Sequence, residues 1–560
     1  MQCFSNLFVG VEFLSSVQQV RCLCARQTGG IARYSFHLQY NKEIGMRRQD
    51  IQLRALARSG DTNARLEVGR RYLLGVEGFP KHSLTGIDYL THPSVSDLSG
   101  ARILISECLP LDELLLLGQQ ESLRKAALSG SASAQLKFGT YLLTHAGRET
   151  EATAYYVRAA ASEACAAKAL AICESVSNSE RLPKILRLLT DDKKENGCAI
   201  AEFAAREAQA EGDLPRLRLC VDAAIRLMSK PTSPISKLVV ALVEMAERTQ
   251  GSLQGMPVEF VQASLEMQNG HGNSDATYAL GRALSGIACG SLEPSSLAES
   301  PNLRKGTALL LRAADAGQDE AWLHLYKLNS DHRCSVANPQ MARFFLEKAA
   351  ECGQAEAQRK LGALMLREAG SITESEQAIC WLYRAARESD LHAKQLLNSL
   401  VLPVSGSDQE AKAAVDELDR ADPWLAARLR LARHFGLTKL EALAVDPAAG
   451  KRPWGLVVGP NPFIMQIRLA APRAIPALSD QALVDLERAV TLFGRPHRSG
   501  GDAEGDLRRR SLNQRRAFER HNLDESMFFA TAKSTVLDSF RLGPKWAFRA
   551  RHTLHLALAA

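Results

Sequence analysis

Three absences narrow the field before any motif is read. No run of 18 apolar residues occurs in the 560-residue chain, so no transmembrane helix is expected. The 12 cysteines form no CxxC pair and have no His cluster beside them, which excludes an obvious zinc site or disulfide framework. Such cysteine usage fits a reducing compartment. No GxxxxGK[ST], GxSxG or HExxH motif is present, and no GxGxxG in a strand-to-helix context, so the common phosphate loops, hydrolase elbows and zinc-protease helices are missing. Aromatic residues are scarce, at 6%.

What is present is a globular composition, 46% hydrophobic and 23% charged. Ala and Leu abound, and both favour helices. At 560 residues the chain exceeds one compact core, so it is either several domains or a repeat array. Its formal charge of +7 is unevenly placed: residues 421–560 hold 22 Lys+Arg against 13 Asp+Glu, and residues 1–420 hold 47 against 49. A near-neutral body thus carries a basic tail, able to meet nucleic acid, acidic lipid or an acidic protein. The first residues carry a short apolar patch with no basic segment before it, and Glu12 interrupts it. That is not a signal-peptide pattern, and the cytoplasm is the expected location.

Periodicity is the strongest signal. LLLRAADAGQDEAWLHLY, FLEKAAECGQAEAQRKLG and WLYRAARESDLHAKQLLN align without gaps, their Ala pairs at Ala313, Ala349 and Ala385 lying 36 residues apart. Counting from this anchor, Gly317, Gly353 or Ser389 stands four later, Ala321, Ala357 or Ala393 eight later, and Leu325, Leu361 or Leu397 twelve later. The same grid finds Leu56, Gly60, Ala64, Val68 and Gly69, then Ala126, Gly130, Ala134, Phe138 and Gly139, then Gln268, Gly272, Ala276, Leu280 and Gly281. A seventh copy, anchored at Ala159, keeps Ala152, Tyr155 and Tyr156 in the preceding half, while its following half departs from the grid.

The pattern predicts a helix, a turn and a second helix, since apolar residues at i, i+3, i+4 and i+7 mark one helical face. Gly four after the anchor suits the left-handed end of the first helix. One such hairpin cannot bury its own apolar face, so neighbours must stack. The stretches NARLEVGRRYLLGVEG, SAQLKFGTYLL, DATYALGRALSG, AEAQRKLGALM and AICWLYRAA resemble the Sel-one-like branch of the tetratricopeptide repeats over about residues 50–160 and 268–400. Gly69, Arg70, Arg71, Tyr72 and Gly75 match the first half of that family's pattern, and Ala378, Trp381, Leu382, Ala385 and Ala386 match the second. Tyr326 and Asn398 stand where the family has a small Gly. The spacing of the anchors predicts about ten helix pairs, with further repeats across 60–126 and 160–268. GSLEPSSLAESPNL reads as a surface-loop insertion. The resemblance implies an all-α, right-handed superhelical α-solenoid that serves in protein–protein interaction and the assembly of complexes.

The ends differ. Residues 1–45 match no repeat, and Met46 stands directly before the first one, which makes it a candidate native start. After Pro403 the grid is lost. Asp422 is placed to cap a helix with Pro423 in its first turn. ARHFGLTKLEAL resembles the helix-turn-helix of some bacterial regulators, with Gly436 in the turn and Thr438 as cap. Polar capping helices of a solenoid account for the same residues, and Lys439 alone is little basic charge for a recognition helix. PWGLVVGPNPFIMQIRL reads as two short β-like runs about the Gly459–Pro462 turn, followed by the helix SDQALVDLERAVTLFGR. Trp454 and Phe463 are contact candidates if exposed and otherwise core aromatics, the core reading being favoured. Residues 495–521 are dominated by Gly, Asp and Arg, and Arg508, Arg509, Arg510, Arg515 and Arg516 cluster without interleaved aromatics.

These observations divide the chain into an N-terminal extension (1–45), the repeat solenoid (46–402), a linker or capping helix (403–420), a small α+β appendix (421–494) and a basic, partly disordered tail (495–560). No catalytic, cofactor-binding or metal-binding residue set emerges, and no cofactor is expected. His324 and His392 lie within repeats as ordinary helix residues, and Asp191-Asp192 beside Lys193-Lys194 form a solvated turn. The expected function is a non-enzymatic scaffold or adaptor holding partner peptides or helices on the concave face of the repeats. The alternative is a nucleic-acid-linked regulator reading through its basic C-terminal region. An enzyme within 421–494 is a third reading.

Overall fold

The structure, a computed structural model, describes residues 47–191, 193–459, 472–494, 504–531 and 551–559, without the side chains of residues 178, 179 and 551. The candidate start at Met46, Asp192, Phe463 and the second β-like run therefore lie outside the described residues. The chain divides at Ala134 and Gln135 into two compact units, each taken by itself.

In the first unit run α1 (Arg48–Ser59), α2 (Thr62–Leu74), α3 (Ser83–Leu90), α4 (Ser99–Cys108), α5 (Leu111–Leu116), α6 (Gln120–Leu128) and the start of α7 (Ala132–Leu143). Ala57, Ala64, Val68, Tyr72 and Phe79 form an apolar cluster. The Phe79 ring meets Tyr72 edge-on at 5.0 Å. Arg71 ties this cluster to Asp50 at 2.9 Å and to Glu67 at 2.7 Å. Hydrogen bonds from Arg70 and then Arg71, against the opposing effect of burial, hold the Glu67 carboxyl down at about 2.

The second unit continues with α8 (Glu149–Ala159), α9 (Ala164–Ser175), α10 (Asn178–Leu189), α11 (Lys194–Glu211), α12 (Leu214–Leu227), α13 (Ser233–Arg248), α14 (Val258–Gly270) and α15 (Ser274–Leu284). Then come α16 (Leu303–Asp315), α17 (Glu320–Ser330), α18 (Pro339–Glu351), α19 (Ala355–Glu368), α20 (Ile372–Arg387) and α21 (Leu391–Asn398). The helices before the turns (α14, α16, α18, α20) are called anchor helices here, and those after them (α15, α17, α19, α21) following helices.

The turn glycines behave as the grid requires. Gly60, Gly130, Gly272, Gly317 and Gly353 have φ between +80° and +107°, and Ser389 takes the same region at +67°. One residue on, Asp61, Asn273 and Asp390 accept from the backbone N–H of Ala64, Ala276 and Ala393, each satisfying an orphan donor of the next helix. Gln318 and Gln354 at the same step reach back instead to the preceding pair, to the Asp275 carboxylate (2.6 Å) and the Asp319 carbonyl (2.5 Å). Gly362 lets α19 and α20 close up: a Cβ there would lie 2.8 Å from Leu382 Cγ and 2.9 Å from the Ala378 carbonyl oxygen. The copy at Ala159, whose second half strays from the grid, still forms both helices, because α9 buries Ala166, Ala169 and Cys173.

The insertion before α16 differs from the expected surface loop. Leu292, Leu297 and Ala298 are at most 4% exposed, so its apolar residues fold back onto the helices although its backbone is irregular.

Beyond α21 come α22 (Asp408–Leu418), α23 (Pro423–His434), α24 (Lys439–Ala444), α25 (Pro447–Gly450), β1 (Lys451–Arg452), β2 (Gly455–Val458), β3 (Arg473–Pro476), α26 (Asp480–Phe493), α27 (Leu507–His521) and α28 (Arg551–Ala559). The strands form an antiparallel sheet in the order β1-β2-β3, with Leu456 opposite Ile475. This is an α+β region. Its core gathers Val415 of α22, Leu429 of α23, Leu456, Ile475 and Leu486 with Phe518 and Phe528, so residues of α27 share the core of the appendix. Two buried ion pairs cross it. Arg473 donates twice to the Glu441 carboxylate at 2.9 Å, and Arg428 twice to Glu504 at 2.7 and 2.6 Å. Arg473 also donates to the Gly436 carbonyl and Arg428 to those of Ala442 and Val445, which helps to compensate the buried charge, while Arg473 Nη1 is buried without a hydrogen-bond partner.

The regulator motif is corrected by this core. Gly436 does turn the chain (φ +54°) and Thr438 does cap α24 in a capping box with Glu441. Yet α24 has six residues, and Glu441, Ala442, Leu443 and Ala444 are buried. A helix spent on the interior cannot enter a DNA groove.

Candidate functional site

The following helices of successive pairs are linked to one another by polar side chains. Arg282 of α15 donates both terminal nitrogens to Glu247 of α13 at 2.6 Å and lies 4.2 Å over the Tyr278 ring. The Tyr278 hydroxyl donates to Glu320 of α17 at 2.9 Å. Lys327 of α17 pairs with Glu356 of α19 at 3.1 Å, and Lys360 pairs with the same carboxylate while lying 5.9 Å over Tyr326. Arg359 of α19 reaches Asp390, the cap of α21, at 2.9 Å. The following helices therefore carry a row of linked polar and aromatic side chains, with Lys327 exposed, His324 and Tyr326 half-buried, and Tyr278, Arg282, Arg359 and Lys360 buried.

His324 sits in this row, its ring 6.0 Å from that of Tyr278. Its Nδ1 is buried without a hydrogen-bond partner. Burial first, then the charges of Arg282 and Lys327, push its pKa down to about 4. His392 also has a buried Nδ1 without a hydrogen-bond partner. Neither histidine joins a metal cluster, since no group of three or more His, Cys, Asp or Glu side chains among the described residues could hold a metal ion.

Two cavities of about 640 Å³ flank Leu478 and Ser479. One is lined by Tyr383, Arg387, Lys394, Asn398 and Asp480. The other is lined by Lys412, Arg430, Arg433, His434 and Asp485. In the second, His434 Nε2 lies 3.1 Å from Asp485, the shortest His–carboxylate contact among the described residues. The arginines beside it are occupied: Arg430 by Asp416 and Asp419, Arg433 by Asp408 and the carbonyls of Ser405, Gly406 and Met527. Arg430 and Arg433 in the cavity wall are thus paired with carboxylates, and sequence reasoning missed the cavity because its residues come from segments about 50 positions apart.

The arginine cluster lies on α27. Arg510 turns inward to the Leu443 carbonyl and Glu504. Arg508, Arg509, Arg516 and Arg520 are exposed, and at 3.6 residues per turn they fall within about a third of the helix circumference. Arg515 is exposed beside them, paired with Glu519 at 3.0 Å. Trp454, by contrast, is 4% exposed and packs in a cluster with Leu382, Leu396 and Leu554. Nine cysteines among the described residues are free, and no helix among those residues is long and apolar enough to cross a membrane.

Fold and surface together define an α-helical repeat protein with an α+β C-terminal region. No family model and no curated protein matches the chain. Among solved structures it is similar to a protective antigen of uropathogenic Escherichia coli displaying an SLR fold, with 21% identity over 62% of this chain and 74% of that one and a TM-score of 0.27. It is also similar to a Sel1 repeat protein from Oxalobacter formigenes, with 20% identity over 62% of this chain and 89% of that one and a TM-score of 0.27.

Proposed function

We propose that the chain is a non-enzymatic scaffold or adaptor of the bacterial cytoplasm, holding peptides or helices of partner proteins on the concave face of its repeats. In this chain that face is read as the row of following helices. The observation that carries the reading is the series of linked side chains Tyr278, His324, Tyr326, Lys327 and Lys360 on successive rigid helices, in which Lys327 is exposed and His324 and Tyr326 are half-buried. Rigid aromatic and cationic anchors are where binding energy concentrates. Cross-linking mass spectrometry on the full chain in a native lysate tests it. Partner cross-links should concentrate on Lys327 and Lys394 of the following helices. Concentration on Lys305 of an anchor helix, with none at Lys327 or Lys394, would reject the face.

The exposed arginines of α27 favour a second reading, contact with nucleic acid through the basic C-terminal region. Its signature is binding to a nonspecific duplex that falls steeply with salt and weakens in Arg508→Glu/Arg516→Glu. Salt-insensitive binding, or none, would remove it.

A further inference from the structure

The last helix of the chain is seated on the repeats. α28 packs against α19 and α21, both following helices. Leu554 (5% exposed) and Ala557 (0%) enter the apolar cluster of Ala363, Leu366, Ala393, Leu396 and Leu397, and Leu558 packs against its edge. The spacing i, i+3, i+4 is that of one helical face. Arg359, itself 3% exposed, donates to the Ala557 carbonyl while holding Asp390. Ala557 is in the last turn of α28, where carbonyls have no partner within the helix and a cation is favoured.

One grid position makes room for the seat. Fourteen after the anchor stand the long cations Arg70, Arg282 and Lys327 in three copies and the small residues Thr140, Ala363 and Ser399 in three others. At Ala363 the small side chain leaves room for a helix that a long cation would obstruct. α28 has nine residues, too few to persist as a helix without a surface to lie on, and His552, His555 and Ala559 remain exposed. Among the described residues its hold on the repeats consists of one apolar stripe and one cationic contact, and tethering rather than contact area favours it over a competitor.

We propose that the α19–α21 face is an exchangeable docking site for a short apolar helix with the spacing of Leu554, Ala557 and Leu558, and that the chain's own α28 holds it until a partner helix of this chemistry takes its place. The proposal rests on the partner-binding reading above and narrows it to one seat and one ligand class. The test needs no partner, so its failure leaves the cross-linking map of Lys327 untouched. A dye-labelled peptide with the sequence of residues 549–560 is titrated, by fluorescence anisotropy, into the full chain, its Leu554→Asp variant and its milder Leu554→Ala variant. Leu554→Asp should bind the peptide at least tenfold more tightly than the unaltered chain, because its own helix no longer competes. Adding Arg359→Ala should weaken that binding several-fold, and a peptide carrying Leu554→Asp should not bind. Equal affinity for the unaltered and Leu554→Asp chains, with unchanged circular dichroism, overturns the proposal. If Leu554→Asp fails to fold, Leu554→Ala decides by hydrogen exchange: faster exchange in α28 with α19 and α21 intact is expected, and unchanged exchange in α28 overturns it.

Discussion

The repeats from Ser274 to Asn398 and the C-terminal region from Asp408 to Ala530 use similar residues to opposite ends. In the repeats the polar links join neighbouring pairs, 29 to 42 positions apart, and set buried Arg282 and Arg359 against more exposed carboxylates on a stack already held by Ala and Leu. In the C-terminal region Arg428–Glu504 spans 76 positions and Arg433 reaches the Met527 carbonyl across 94, and the main pairs lie inside the core. A stack of like units can lose one link and keep the rest. A small core pinned by buried charge cannot, since removing one partner strands the other.

The sharpest way to break the comparison is Arg473→Ala. It leaves Glu441 buried (3% exposed) and uncompensated, and should cost about 3–5 kcal/mol. Chemical denaturation followed by hydrogen exchange should show the C-terminal core opening while the amides of α15–α17 stay protected. Simultaneous loss of protection in both regions would show that they unfold as one.

Next is pH. The folded pKa of His324 is lowered from 6.5 to about 4, so the folded state binds the proton less well than the unfolded one. Its contribution is complete above pH 6.5 and is lost as pH falls from 6.5 towards 4, up to about 3 kcal/mol in all. Denaturation midpoints of the chain and of His324→Gln across pH 4–7 measure it, the variant giving the flatter profile.

Gly362→Ala places a Cβ against the backbone oxygen of Ala378, which cannot yield as a side-chain tip can. We expect a cost of about 1–3 kcal/mol, read from the urea midpoint. The smallest change should be a gain. Ser389 holds the left-handed conformation that Gly occupies in the other turns, so Ser389→Gly should stabilise the last pair by roughly 1 kcal/mol, seen as slower exchange in α21.

The difference between the regions is also a difference in legibility. The grid placed Gly317, Gly353 and Ser389 at helix ends and Ala321, Ala357 and Ala393 inside the next helices, and the structure has them there. The helix over SDQALVDLERAVTLFGR was equally readable from its period. By contrast, GLTKLEAL is locally a capped helix, and nothing within those eight residues says that Arg473 will bury it. The apolar residues of the insertion were hidden by its Pro and Ser content, which marks irregular backbone without telling which side chains turn inward. For the candidate surface, the row from Tyr278 to Lys360 was present in the repeats but unmarked, because side chains 42 positions apart become neighbours only through stacking.

By itself the sequence determined the helix pairs, their turns and their small-residue contacts, because each depends on residues within one 36-residue unit, where helical period and turn chemistry act locally. Tertiary structure alone decided that α24 is interior, that α27 turns one row of arginines outward, and that α28 lies across α19 and α21. Those outcomes depend on which distant surfaces bury apolar area and compensate charge together, and no local period encodes that choice.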